Sequence, residues 1–146
     1  DRVKTNLNLN PQINNIKAIN LGVSDKDEIL SMGVSTTGNK SGNSFLSNSK
    51  LRKNIACKSL YSILQEMDIR KIDLIKIDIE GFEFRVLSKF FKDAPKYIWP
   101  QWILIEDNPN IVQEGKAIEL LFSVGYELKY DFGLNKLMRL AIRIDV

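Results

Sequence analysis

Histidine and cysteine are nearly missing from this sequence: its 146 residues include no histidine and a single cysteine. Without histidine there is no Ser-His-Asp or Cys-His nucleophile and no histidine-ligated metal site. One cysteine leaves no internal disulfide framework and no zinc site that needs two or more cysteines. Any proton transfer in this protein must therefore use Asp, Glu, Lys, Tyr or water.

Long runs of like charge and long apolar runs are missing as well. The 21 basic and 18 acidic residues give a net charge of +3 and are scattered along the chain. A nucleic-acid groove clusters its positive charge on one face, so we expect a mixed-charge surface and no nucleic-acid partner. No apolar run approaches the roughly 18 residues of a membrane span, which predicts a cytoplasmic protein with no membrane partner.

The first ten residues, DRVKTNLNLN, are polar and do not start with methionine. A secretory leader has an apolar stretch behind its first charges, and none follows these residues. We expect the sequence to be part of a longer parent chain, and we expect residues 1–146 to form one domain.

Apolar strands alternate with amphipathic helices along the chain. This order predicts an α/β fold with an open, mostly parallel twisted sheet and helices on both faces, and the C-terminal alternation predicts a closing antiparallel β-hairpin. The predicted strands are residues 15–23, 72–79, 97–105, 126–130 and 136–144. The predicted helices are residues 59–69, 82–91 and 111–124, and residues 31–50 are predicted to form a long loop or an irregular hairpin.

Glycine and proline mark several ends of these elements. Pro100 predicts a bulge or a late start for its strand, because proline cannot donate to the ladder. Gly125 fits a left-handed cap at the end of a helix. Residues 33–41, GVSTTGNKS, resemble a phosphate-binding loop, but Asn39 displaces Lys40 from the required position. A polar loop with turn-forming residues is sufficient to explain the composition of this segment, so that interpretation is favoured over a phosphate-binding loop.

Asp78 and Glu80 flank Ile79 at the carboxyl end of the most apolar strand, where ligands bind in open α/β sheets. Strand alternation places Asp78 on the same face as Lys76. These carboxylates could do chemistry, or hold a magnesium ion as in a nuclease. They could equally be structural: Asp78 could accept backbone amides or pair with Lys76, while Glu80 or Glu83 begins a helix. The spacing leaves both interpretations open.

The segment IDLIKIDIEGFEFRVLSKF closely resembles the signature of the FkbM-type methyltransferase family, which uses S-adenosylmethionine. The match runs from Ile72 to Leu87, where the family has a strand and a turn leading into a helix. Further segments resemble the family in the same order along the chain: NLNLN, NLGVSDKD, SLYSILQEMDIRKIDL, WILIEDNP and the pair Gly125–Tyr126.

This sequence departs from the family pattern in places. Tyr61 replaces an expected Asp, and Asp107 and Asn108 stand where members often carry histidine. The first strand with its glycine-rich cofactor loop, and the acid that ends the second strand, have no counterpart here. The family's strand order implies that residues 15–23 then have no neighbour and that strand 72–79 becomes an exposed apolar edge. Either the parent chain supplies the missing strands, or the strands present here pair in another way. We expect this chain alone to bind S-adenosylmethionine poorly or not at all.

The resemblance implies a class I methyltransferase-like fold that lacks its first two strands. It also implies methyl transfer from S-adenosylmethionine to a hydroxyl of a sugar or polyketide-type small molecule. Asp78 is the first choice for the base or acceptor-orienting group, and Glu106 is the second. Ser24 and Asp25 lie where the adenine usually meets this fold, and no metal ligand is predicted. A non-enzymatic α/β interaction module and a carboxylate-metal hydrolase remain as alternatives.

Overall fold

The computed structural model describes residues 2–33, 50–111 and 115–141. The helices in these ranges are α1 (Arg2–Asn8), α2 (Leu60–Glu66), α3 (Glu83–Asp93) and α4 (Ala117–Ser123), with a 3₁₀ turn at Lys96–Ile98. The strands are β1 (Gly22–Ser24), β2 (Glu28–Gly33), β3 (Arg52–Ser59), β4 (Leu74–Ile77), β5 (Trp102–Glu106), β6 (Tyr126–Phe132) and β7 (Asn135–Leu140). None of the helices described is both long enough and apolar enough to cross a membrane.

The strands form two separate sheets. The smaller has the order β1-β3-β2 and the larger the order β4-β5-β7-β6. In the described ranges β1–β3 and β4–β5 are parallel pairs, and the other three pairs are antiparallel. The predicted mixed α/β class is confirmed, whereas a single open and mostly parallel sheet is not.

Sequence analysis missed two strands, β2 and β3, and β3 is the central strand of the smaller sheet. Its sequence, RKNIACKS, has neither an apolar run nor a clear alternation, but it is paired along both edges, with β1 and with β2. The strand predicted over residues 15–23 is shorter than expected and starts at Gly22. It pairs with β3, so pairing with another strand of this chain is the outcome found. Residues 31–33 belong to β2 and not to a loop. The rest of the predicted loop, residues 34–49, lies outside the described ranges.

The main core lies between the larger sheet and the helices α3 and α4. Alternate residues of β4, β5 and β7 point into it, and α3 contributes Leu87 while α4 contributes Leu121. A smaller cluster joins α2 to α3 through Leu64 and Phe90. α3 forms here because its apolar residues recur at helical spacing, with Glu83 in the first turn and Lys92 in the last, as the helix dipole favours.

The opposite side of the larger sheet differs from the core side. Neither hydrophobic cluster in the described ranges includes a residue of this side. We call it the open face; it carries Leu74 and Lys76 of β4, Trp102 and Leu104 of β5, and Leu137 and Arg139 of β7. Helices on both faces of this sheet are therefore not confirmed. β4 also has a strand neighbour on one side only among the described strands, as predicted for an exposed edge, and Leu74 there is 55% exposed.

The C-terminal strands confirm the predicted antiparallel hairpin. β6 and β7 pair from Tyr126 opposite Leu140 to Phe132 opposite Asn135. Gly125 caps α4 with a φ of 98°, in the left-handed region that the sequence predicts for it. β5 starts at Trp102, two residues after Pro100, so the late strand start is confirmed as well.

Candidate active site

The carboxyl ends of β4 and β5 lie side by side because these strands are parallel neighbours. Their register pairs Ile77 with Ile105, so Asp78 and Glu106 follow at adjacent positions. Glu80 joins them from the turn after β4. The three side chains each offer a carboxylate oxygen, and these oxygens lie within 4.8 Å of one another. The structure thus brings together both predicted catalytic residues, while their role in catalysis stays a prediction.

A buried glutamate shapes the turn between β4 and α3. Glu83 is 1% exposed, and its carboxylate accepts the backbone N–H of Ile79 at 3.0 Å and of Gly81 at 2.9 Å. Gly81 allows the reversal with a φ of 102°, and Glu80 adopts a φ of 56°. Such backbone strain at a residue with a side chain concentrates at functional sites. Amide binding, which sequence analysis considered for Asp78, is therefore the role of Glu83.

Asp78 forms an ion pair with Lys76 on the open face. The Lys76 Nζ lies 2.6 Å from Asp78 Oδ2, and the Asp78 side chain is 43% exposed. The hydrogen bond from Lys76, helped by its charge and opposed by partial burial, holds the pKa of Asp78 below its ordinary value. A carboxylate held in its ionised form is a good hydrogen-bond acceptor but a weak base.

Glu106 has the opposite electrostatic character. Burial raises its pKa, and the negative charge of Asp78 and a hydrogen bond with that carboxyl raise it further, against a hydrogen bond from Asn108. Burial also raises the pKa of Glu80, with added effects from the charges of Asp78 and Glu83. Carboxyls whose pKa values are driven apart by their surroundings are suited to different roles in proton transfer.

The predicted cofactor residues belong to another cluster. The Ser24 hydroxyl is fully buried and lies 2.6 Å from Glu28 Oε1 and 3.1 Å from Asp25 Oδ1. Arg85 of α3 donates to the same Asp25 oxygen at 2.7 Å and to Glu28 at 3.3 Å. Burial alone would raise the pKa of Asp25, but the hydrogen bonds from Arg85 and Ser24 outweigh it and the pKa is lowered. This cluster joins the smaller sheet to α3.

These contacts decide how well the residues fit S-adenosylmethionine. The Ser24 hydroxyl has no exposed surface for a ligand, and Asp25 keeps only part of its carboxylate accessible, with 31% of the side chain exposed. The Ser24 hydroxyl is therefore not accessible to a ribose or an adenine, whereas Asp25 is engaged by Arg85 through one carboxylate oxygen. Ser24 does not fit the cofactor well, and the assignment of both residues stays a prediction.

A cleft opens beside Glu106, where the chain continues past β5. It encloses about 570 Å³ between residues 107–111 and the start of α4. Its walls combine apolar side chains with Asp107, Asn108 and Lys116. Asn108 Oδ1 accepts the backbone N–H of Asn110 at 3.0 Å, which holds the loop in a local turn. Clefts of this size with a few polar groups suit small molecules.

The carboxylate cluster could also ligate a hard divalent cation, because such ions prefer carboxylate oxygens. Lys76, however, holds one oxygen of Asp78 in an ion pair. The expectation that no metal is bound stays a prediction.

Sequence analysis missed several residues at or near this site. Arg85 lies 60 positions from Asp25, and no local pattern pairs residues so far apart. Asn108 was noted as a departure from the family pattern, but its contact with Glu106 depends on the loop conformation. Glu83 was expected only to begin a helix, although an acid two residues after Gly81 can also reach the amides of the turn.

A mixed α/β domain with a cluster of acids at the carboxyl ends of parallel strands has the architecture of an α/β enzyme. The methyltransferase FkbM domain model matches residues 1–128. The chain therefore belongs to the FkbM methyltransferase domain family, and methyl transfer is its general class of activity. No curated protein and no solved structure matches the sequence.

Proposed function

We propose that this protein transfers a methyl group from S-adenosylmethionine to a hydroxyl group of a small molecule, as an O-methyltransferase. The observation that carries the proposal is the convergence of Asp78 and Glu106, whose pKa values are displaced in opposite directions. Membership of the FkbM family supports the methyl-transfer part. The hydroxyl acceptor is supported by carboxyl groups that can accept a proton, in a sequence of 146 residues that contains no histidine.

The roles of the two carboxylates follow from their electrostatics. S-adenosylmethionine, when bound, supplies a methyl group on a positively charged sulfur, and this sulfur is a good leaving group because it departs as a neutral thioether. A hydroxyl acceptor must lose its proton as its oxygen bonds to carbon, and Glu106 accepts that proton. Asp78, held ionised by Lys76, accepts a hydrogen bond that orients the acceptor. Sequence analysis prefers Asp78 to Glu106 as the base. The raised pKa of Glu106 favours Glu106 for that role instead.

The proposal is tested with the complete natural gene product and S-adenosylmethionine labelled in its methyl group. A panel of sugars, glycosides and polyketide alcohols serves as acceptors, and the label transferred is counted. In an active enzyme, Glu106→Gln should lower kcat roughly 10²-fold or more. Asp78→Asn should lower kcat less and raise KM, because it removes an orienting group. Glu66→Gln on the exposed side of α2 is the matched control and should leave both constants unchanged.

The same assay separates the alternatives. If no acceptor is labelled and the complete chain does not bind S-adenosylmethionine by calorimetry, the protein is not a methyltransferase and the interaction-module alternative gains support. The three converging carboxylates favour one other candidate, a metal-dependent hydrolase. Hydrolysis that requires Mg²⁺ and is lost in Asp78→Asn and Glu80→Gln would support that candidate.

A further inference from the structure

Two exposed aromatic rings lie at the far end of β6. Tyr130 is 59% exposed and Phe132 is 63% exposed. They are two residues apart in a strand, so they point to the same side of the sheet. Their ring centroids lie 6.0 Å apart and their planes differ by 19°. The pair forms one nearly flat apolar surface, which we call the aromatic platform.

A shift in strand register decides which face of the sheet the platform occupies. The shift lies between Leu128 and Tyr130. Before it, Leu128 is opposite Met138, which is fully buried on the core side. After it, Tyr130 is opposite Leu137 of the open face. Such an irregularity turns the following side chains to the other face of the strand. The platform therefore lies on the open face.

The register also places the platform in line with the candidate active site. Phe132 is opposite Asn135, and Asn135 is opposite Glu106. Directly opposite residues share a face, so these three form one row at the carboxyl edge of β5. The row crosses from β6 over β7 to β5, and two spacings between neighbouring strands give it a length of about 10 Å. The backbone N–H of Asp107 donates to the Leu134 carbonyl at 2.6 Å, which holds the hairpin turn against this edge.

The chemistry of this row fits a carbohydrate. A sugar ring presents a face of C–H groups, which packs on aromatic rings, and hydroxyl groups, which donate to carboxylate and amide oxygens. The row offers both kinds of partner: aromatic faces at one end, then the Asn135 amide, then the carboxylates of Glu106 and Asp78. Its span is comparable with two linked sugar rings.

Charge argues against the other ligands that stack on aromatic rings. Asp78, Glu80 and Glu106 place three acids beside the row, and Lys76 forms an ion pair with Asp78. Negative potential of this kind repels phosphate groups, so a nucleotide or nucleic acid would bind unfavourably. A neutral polyhydroxylated ligand meets no such repulsion. The platform also lies beyond residue 128, where the family match ends, as expected for a feature that selects one acceptor.

We propose that the aromatic platform is the acceptor subsite for a neutral carbohydrate. One sugar ring packs on Tyr130 and Phe132, and a hydroxyl of the next sugar lies at Glu106. A neutral carbohydrate is therefore the proposed class of methyl acceptor. This part rests on the proposed function, in which Glu106 is the base. The binding step itself needs no methyl transfer and is tested separately.

The test uses the 146-residue chain and saturation-transfer NMR with cellobiose, lactose, maltose and chitobiose as probes. Saturation of the protein's aromatic protons should reach the ring C–H protons of at least one disaccharide. Phe132→Ala should weaken that binding about tenfold, and Phe132→Leu should weaken it similarly because it keeps apolar surface but loses the ring. Phe122→Ala is the matched control, since Phe122 is 50% exposed on α4, and it should bind as the unmodified chain does.

Several other outcomes overturn the proposal. Transfer to none of the disaccharides does so, as does an equal loss in the Phe122 and Phe132 variants. Self-association that disappears in Phe132→Ala, without sugar binding, would assign the platform to contacts between copies of the chain. Sugar binding without methyl transfer by the complete protein would refute the proposed function alone. Methylation of a sugar with unchanged KM in Phe132→Ala would refute this inference alone.

Discussion

At the scale of single residues, the candidate site concentrates negative charge at a cost in stability. Glu106 and Glu80 have raised pKa values because burial and neighbouring carboxylates disfavour their ionised forms. Of the three clustered carboxyls, only Asp78, which is paired with Lys76, has a lowered pKa. Folds retain such unfavourable electrostatics where a reaction uses them, and this pattern supports a functional role for the cluster.

The first prediction is that Glu106→Gln stabilises the fold at neutral pH. A raised pKa means that the folded state binds the Glu106 proton more tightly than the unfolded state does. The free energy of unfolding therefore falls as pH rises from the ordinary glutamate pKa through the raised one. Above that window the variant should be more stable than the parent by about 0.5 kcal/mol, because it avoids the repulsion.

Urea unfolding near pH 7 and near pH 4 measures this difference. The advantage of the variant should shrink at the lower pH, where Glu106 is protonated in both states. Glu119→Gln is the control, because Glu119 pairs with Lys116 at 2.7 Å and its replacement relieves no repulsion. A variant that is less stable than the parent at neutral pH would contradict the prediction.

At the scale of elements, the turn from β4 into α3 depends on Glu83. Its carboxylate satisfies two backbone amides that would otherwise be buried without partners. The second prediction is that Glu83→Ala lowers the free energy of unfolding by about 3 kcal/mol, the effect of losing two such acceptor bonds. Denaturant unfolding measures it, and Glu119→Ala on an exposed helix surface should change stability by less than about 0.5 kcal/mol. Equal losses in the two variants would show that the turn does not need Glu83.

The loop before α4 is packed against α3 at a glycine. A Cβ atom on Gly115 would lie 2.6 Å from the Phe84 ring, closer than two atoms can approach. The third prediction is that Gly115→Ala destabilises the protein by about 2 kcal/mol through overpacking. The same substitution in a Phe84→Ala background should have a much smaller effect. A double-mutant cycle from thermal unfolding tests this coupling, and strictly additive effects would rule it out.

At the scale of the whole molecule, helix α3 contacts both sheets. α3 packs against the larger sheet through Leu87 and is joined to the smaller one by the ion pair between Arg85 and Asp25. The open face and the edge of β4 remain without a helix or strand partner in the described ranges. An apolar strand with unpaired backbone groups is a template for pairing with another chain.

The fourth prediction concerns self-association of this chain. Leu74 is 55% exposed on β4, and Leu74→Lys should reduce association of the 146-residue chain by placing a charge on the strand edge. Sedimentation velocity over a range of concentrations measures it. Tyr97→Lys is the control, because Tyr97 is 57% exposed but lies in the 3₁₀ turn and not in a strand. Association that is unchanged in Leu74→Lys, or equally reduced in both variants, would assign it to another surface.

Local patterns in the sequence were sufficient to predict several helices and strands of this molecule and its family. Helical spacing of apolar residues identified α2 and α3, Gly125 marked the end of α4, and alternation identified the closing hairpin. The IKIDIEGFE segment pointed to the family and to the importance of Asp78. These features depend on residues close together in the chain, where periodicity and turn chemistry act directly.

Tertiary structure alone decided the rest. β3 has no strong pattern, and pairing on both edges makes it a strand and separates the two sheets. Arg85 meets Asp25 and Glu28, and Phe132 aligns with Glu106 across β7, although these residues are far apart in sequence. The pKa of Glu106 likewise depends on Asp78, which follows another strand. Sequence specifies which groups are present, whereas strand register and packing determine which groups meet, because hydrogen bonding and charge act through space.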